Sequence, residues 1–191
     1  MPNPALIPLV RDSRRYSYSF VAGLWLMVTV YAELHDQYLV RIAPEHFTVY
    51  HPPLWGLHDP PLLAAGWALK AGTFPGVLLG LACLFAARAG RWPRVGARFV
   101  FTVVPVLVGL TELTAASTGL WVWWQGRGLY PAWIYPENGL PLLITQTIQV
   151  TCYAAGGCYS LGFVAYLLAR RWRSKRRRAR TEPAVATPGG T

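Results

Sequence analysis

Residues 99–121 read Phe-Val-Phe-Thr-Val-Val-Pro-Val-Leu-Val-Gly-Leu-Thr-Glu-Leu-Thr-Ala-Ala-Ser-Thr-Gly-Leu-Trp, an apolar stretch carrying a single charge, Glu112. About 20 such residues, coiled as a helix, cross the hydrocarbon core of a bilayer, and a charge at its centre costs a few kcal/mol or more. Three more runs lack charge altogether: Tyr16 to Ala32, Ala71 to Ala87, and Pro141 to Ala169. None alternates apolar and polar residues as a lipid-facing barrel strand must. The expectation is therefore an all-α integral membrane protein, a bundle of four transmembrane helices with spans at about 16–34, 70–88, 99–121 and 141–169.

Composition agrees. Of 191 residues, 53% are hydrophobic, nine are Trp, and only 14% are charged, against about 25% in an ordinary soluble domain. With a mean hydropathy of +0.29, the chain is neither a soluble globule, nor disordered, nor collagen-like.

The basic residues set the expected orientation, because short loops rich in Lys and Arg stay on the cytoplasmic side. Fifteen of the eighteen fall in three places. Arg11, Arg14 and Arg15 precede the first span, and Arg88, Arg91, Arg94 and Arg98 join the second to the third. Arg170, Arg171, Arg173, Lys175, Arg176, Arg177, Arg178 and Arg180 follow the fourth. Both termini then lie inside: residues 1–15 form a cytoplasmic N-terminus and 174–191 a disordered basic tail. The net charge of +10 is accounted for by orientation and by contact with anionic inner-leaflet lipids, without nucleic acid. Tyr16, Tyr18, Trp92 and Trp172 mark the inner interface, and Trp121, Trp123, Trp124, Tyr130, Trp133 and Tyr135 the outer one. A competing reading takes the first apolar run as a signal peptide cleaved after Ala32, which leaves three spans.

The outer loops become 35–69 and 122–140, and the first holds all four histidines, His35, His46, His51 and His58, with Asp36, Glu45 and Asp59. Imidazoles and carboxylates in one segment are a candidate metal set, for zinc for example. Their spacings of 11, 5 and 7 residues match no established motif, and Pro44, Pro52, Pro53, Pro60 and Pro61 remove helical pairing from most of the segment. An ordinary polar loop is the plainer reading. No cofactor is expected beyond such a metal ion.

Glu112 is the sharper signal, since an ionisable residue within a span is a functional hypothesis in need of a partner. It lies roughly 20 Å along the helix from Phe99, in the outer half. Glu33, Lys70, Thr145, Gln146 and Gln149 fall at nearby depths. In a structural reading Glu112 pairs with Lys70 or is protonated, and the amides bond across helices. In a functional one the layer floors an outward-facing cavity that binds or moves a small ligand or ion, with Glu33, His35, Asp36, Gln37, Glu45, Lys70, Glu112, Gln146 and Gln149 as candidate residues. An assembly subunit of a membrane complex and a metal-dependent enzyme using the histidines are the alternatives. Neither G-x-S-x-G nor H-E-x-x-H is present, so no enzyme is favoured. Cys83, Cys152 and Cys158 fall inside spans as small apolar residues. Gly76 and Gly80 form a G-x-x-x-G, and Ala154 to Gly157 a second small-residue patch, suited to close packing within the bundle before a dimer seam with a second copy or another membrane protein.

Tyr31-Ala-Glu-Leu-His-Asp-Gln37 followed by Ala43-Pro-Glu-His-Phe-Thr48 resembles an uncharacterised family of small bacterial multi-pass membrane proteins, often labelled signal-peptide-containing. Its members carry an Asp-Gln pair and then Ser-Pro-Glu-Tyr-Phe-Thr. Here Ala43 replaces the serine and His46 the tyrosine. The resemblance implies a bacterial inner-membrane setting and singles out Asp36, Gln37, Pro44, Glu45 and Phe47, with no mechanism attached. Pro44 suits the first position of a short helix, with Glu45 favourable near its N-terminus, so the outer loop should be structured and fold over the bundle's mouth.

Overall fold

The computed structural model describes residues 12–134 and 139–181, and every regular element among them is helical. Four long helices, α1 (Arg14–Ile42), α3 (Pro60–Arg88), α4 (Ala97–Gln125) and α5 (Leu140–Thr181), are joined by a short α2 (Glu45–Thr48) and a 3₁₀ turn, Ala132–Ile134. All four are long and apolar enough to cross a membrane. Arg11, Tyr135 and the chain beyond Thr181 lie outside the described residues.

The helices outrun the charge-free stretches that announce them. Ser13 caps α1, its hydroxyl accepting from Tyr16 N, and the helix passes straight through Glu33, His35, Asp36 and Gln37 to Ile42. Asp59 caps α3 by accepting from Leu62 N, and Pro60 and Pro61 occupy its first turn, where a missing N–H costs nothing. The expected loop 35–69 thus shrinks to the segment between Ile42 and Pro60, with α2 inside it. Proline there starts a helix instead of breaking one. Gly126, at φ 65°, ends α4 in the left-handed conformation. The disorder expected from residue 174 does not hold for 174–181, which continue α5.

The helices run up and down in turn. α1 packs most extensively on α3 and α4 on α5, and the two pairs meet along α3·α5 and α1·α4. Gly72, Gly76 and Gly80 let α3 lie directly on α1: a Cβ on Gly76 would sit 3.0 Å from Trp25 Cα, and one on Gly80 3.1 Å from Val21 Cα. The small-residue seam is thus spent inside the bundle.

At one end the arginines close the structure. Asp12 takes a two-pronged ion pair from Arg88 and a further contact at 3.1 Å from Arg94, and the Arg88 hydrogen bonds hold its carboxyl below the usual range against the opposing effect of burial. Arg171, 2% exposed, donates to the carbonyls of Ala86 and Pro93 at 2.9 Å and to those of Phe85, Ala89 and Trp92. It satisfies acceptors that the end of α3 leaves open. The core has two parts. Phe20, Leu24, Leu84, Val100, Val104, Phe163 and Leu167 pack near this arginine end; Leu39, Val40, Phe47, Leu54, Leu63, Ala115 and Ile148 pack near the other.

Candidate functional site

Because α1 continues to Ile42, Tyr31, His35 and Tyr38 lie four and three residues apart and share one helical face. That face meets Glu112 of α4. Tyr31 Oη donates to Glu112 Oε2 at 3.0 Å, Tyr38 Oη donates to Oε1 at 2.7 Å, and His35 Nδ1 lies 2.7 Å from Oε2. A carboxylate only accepts, so the His35 proton in this contact sits on Nδ1. With its own proton committed to Glu112, Tyr31 accepts from Cys152 Sγ, 3.1 Å away on α5. Three helices are tied to one carboxylate.

Beside this cluster, between the two core regions, lies a cleft of about 160 Å³ bounded by α1, α3, α4 and α5. Val28, Leu79, Val104 and Leu107 make apolar walls, and His35, Asp36, Gln149 and Tyr153 bring polar groups to them. Asp36 is 4% exposed, yet no hydrogen bond reaches its side chain among the described residues. Two further buried polar atoms there are unpartnered: His35 Nε2, and Gln149 Oε1, whose amide nitrogen donates to Tyr153 Oη at 2.7 Å. An unpaired buried acceptor ordinarily costs about 1–3 kcal/mol. Such groups gathered in one cleft with an unpaired carboxyl call for an explanation.

The remaining residues expected in the polar layer divide. Gln37 donates to Glu33 Oε1 and to the Pro61 carbonyl, both at 2.9 Å, tying the far end of α1 to the start of α3. Lys70 does not pair with Glu112; it is exposed, its ammonium 4.4 Å from the centre of the Trp67 ring. A position on an outer helix face, invisible to depth arguments, decides that. Gln146 keeps a buried, unpartnered Oε1 but does not line the cleft, Thr145 is fully buried with its hydroxyl unpartnered, and Glu45 sits half-buried in the first turn of α2.

The four histidines do not converge. His35 belongs to the Glu112 cluster, and His58 is exposed. His46 and His51 have ring centres 4.6 Å apart, but His51 Nδ1 donates to the His46 carbonyl at 2.6 Å and its ring stacks on Phe47. Among the described residues no group of three His, Cys, Asp or Glu side chains is placed to hold a metal ion. The candidate metal set is corrected accordingly: the helical continuation of α1 carries His35 away from the others. Burial, with His51 and then His35 adding to it, pushes the His46 imidazole down to about 4. Sequence reasoning missed Tyr31, Tyr38, Cys152 and Tyr153 as members of the site; the i, i+4, i+7 spacing of Tyr31, His35 and Tyr38 is the signal that could have found the first two.

Set against protein-family models, curated proteins and solved structures, the chain matches none.

Proposed function

We propose that the protein is a four-span protein of the bacterial cytoplasmic membrane, both termini inside, that binds a small ligand or ion in its interhelical cleft. The membrane setting is supported by where the apolar surface lies. Only 11–33% of the most apolar stretch of each long helix is buried within the bundle, and Leu26, Val30, Phe74, Leu78, Val106, Leu113 and Leu161 face outward. A surface that apolar requires lipid or protein around it. The orientation is supported by the collection of Arg88, Arg94 and Arg171 at one end of the bundle, where anionic headgroups are the natural neighbours.

The observation that carries the binding reading is Asp36: a buried carboxyl in a cleft wall, without a hydrogen bond, one residue from a carboxylate cluster that is fully served. A bundle selected for stability alone would pair or discard it. The use of Gly72, Gly76 and Gly80 within the bundle removes the seam on which an assembly-subunit reading leaned.

Access to the cleft is tested with Gly156→Cys, since a Cβ there points past Thr111 at an ordinary 3.5 Å. Right-side-out spheroplasts are treated with a small cationic methanethiosulfonate, and modification is mapped by peptide mass. The expected result is modification at position 156 with the fully buried Cys83 spared; a thiol at 156 as inert as Cys83 contradicts the reading.

A further inference from the structure

Resting on the reading of the cleft as a ligand site, we propose that its ligand is an organic cation, a protonated amine or amidine on a ring-sized apolar body, with Asp36 as its counter-ion. The argument is one of donors and acceptors. His35 Nδ1–H is used by Glu112, which leaves Nε2 with a lone pair when the ring is neutral; it is buried and unpartnered. Gln149 donates one amide N–H to Tyr153 and leaves Oε1 free. Asp36 brings a carboxylate. Asp36 and Gln149 Oε1 are acceptors whatever the state of the His35 ring, and what completes them must donate.

Charge points the same way. No Lys or Arg lines the cleft, the His35 imidazole beside Asp36 is already paired with Glu112, and Lys70, the nearest candidate by depth, lies on Trp67 instead. A carboxylate removed from water without a counter-charge is expensive, and a cationic ligand supplies that charge only when bound. An ammonium offers three donors, enough to serve Asp36 and Gln149 Oε1 together.

Size and wall chemistry set the rest. An apolar cavity of about 150 Å³ accommodates a benzene ring, and this cleft measures about 160 Å³. Its far walls, Val28, Leu79, Val104 and Leu107, offer only hydrocarbon. A bare inorganic cation would leave that part empty, whereas an amine carried on a ring fills both parts.

The test uses the full chain in detergent micelles and ¹⁹F NMR of three probes of nearly equal shape: 4-fluorobenzylammonium, 4-fluorobenzyl alcohol and 4-fluorobenzoate. Partition into micelles is separated from site binding with Gly156→Leu, which fills the cleft. The expected result is a bound resonance for the ammonium that Gly156→Leu abolishes and Asp36→Asn weakens about tenfold or more, the alcohol binding about tenfold more weakly and the benzoate not at all. Equal binding of alcohol and ammonium, or tighter binding of the benzoate, overturns the cation assignment while leaving the cleft a binding site. If none of the three gives a resonance sensitive to Gly156→Leu, the ligand-site reading falls with it. Should Asp36→Asn fail to fold, the comparison of the three probes on the unaltered protein still decides.

Discussion

Glu112 and Asp36 are two carboxyls in the same layer with opposite circumstances. Glu112 receives Tyr31, Tyr38 and His35, and its side chain keeps about a third of its surface exposed. Asp36 is more deeply buried and receives nothing from a described residue. The bundle explains the first, and the second is what the proposed ligand would complete. From the sequence, only the cost of a charge in an apolar run could be read; which side chain answers it depends on helix rotation, which is why Lys70 seemed the partner. His46 offers a separate residue-scale test. Faced by Phe47 and His51 and sensing His35 on α1, its folded imidazole takes a proton only near pH 4, whereas an unfolded one does so at about 6.5. Between those values the unfolded chain binds more protons, so stability is full above about pH 6.5 and is lost as the pH falls towards 4. The loss attributable to this group is on the order of 3 kcal/mol. Thermal melts from pH 7.5 to 4.5 should show this decline, and His46→Gln should flatten it; an equal decline in the variant would assign the effect elsewhere.

Among the elements, the four long apolar helices were legible and their ends were not. A charge-free run marks where a helix may touch lipid, but a helix continues for as long as its polar residues find partners. α1 gains eight residues past 34 because His35 and Asp36 turn inward and Gln37 reaches Pro61; α3 begins at Pro60 because Asp59 caps it. The motif Pro-Glu-His-Phe did read correctly as a short helix, and its Phe47, 1% exposed, plugs the core at that end. The G-x-x-x-G was legible as a packing device, though not its partner. That partner now makes a prediction: Gly76→Leu, pushed into the backbone of Trp25, should cost about 1–3 kcal/mol or more. Gly157→Ala, where a Cβ meets nothing within 4 Å, should be neutral or slightly favourable. Melting of both variants in detergent checks the pair, and equal losses would contradict the packing of α1 on α3.

For the whole molecule, the same few forces recur at different depths. Outward-facing leucines surround the helices, glycines bring α1 and α3 together, arginine closes one end, and a cleft with an unpaired carboxyl interrupts the core nearer the other. The architecture was legible because hydropathy is a local property of the chain. The cleft was not, because it arises from four helices meeting: Cys152 and Tyr31 are 121 residues apart in sequence, and no spacing rule connects them. Arg171 makes the same point, since a residue that reads as one of a basic run proves to be buried and to serve the end of α3. The division proposed here keeps Asp36 for a ligand and Glu112 for the bundle. It is tested most directly by thermal melts of Asp36→Asn and Glu112→Gln beside the unaltered protein, in one detergent at one pH. Glutamine keeps one acceptor oxygen where the carboxylate has two, so one or two of the three contacts go, about 1 kcal/mol; Glu112→Gln should melt about 3 °C lower, while Asp36→Asn should melt at the same temperature or higher. A fall for Asp36→Asn as large as that for Glu112→Gln would show that both carboxyls hold the fold together, and would contradict the account.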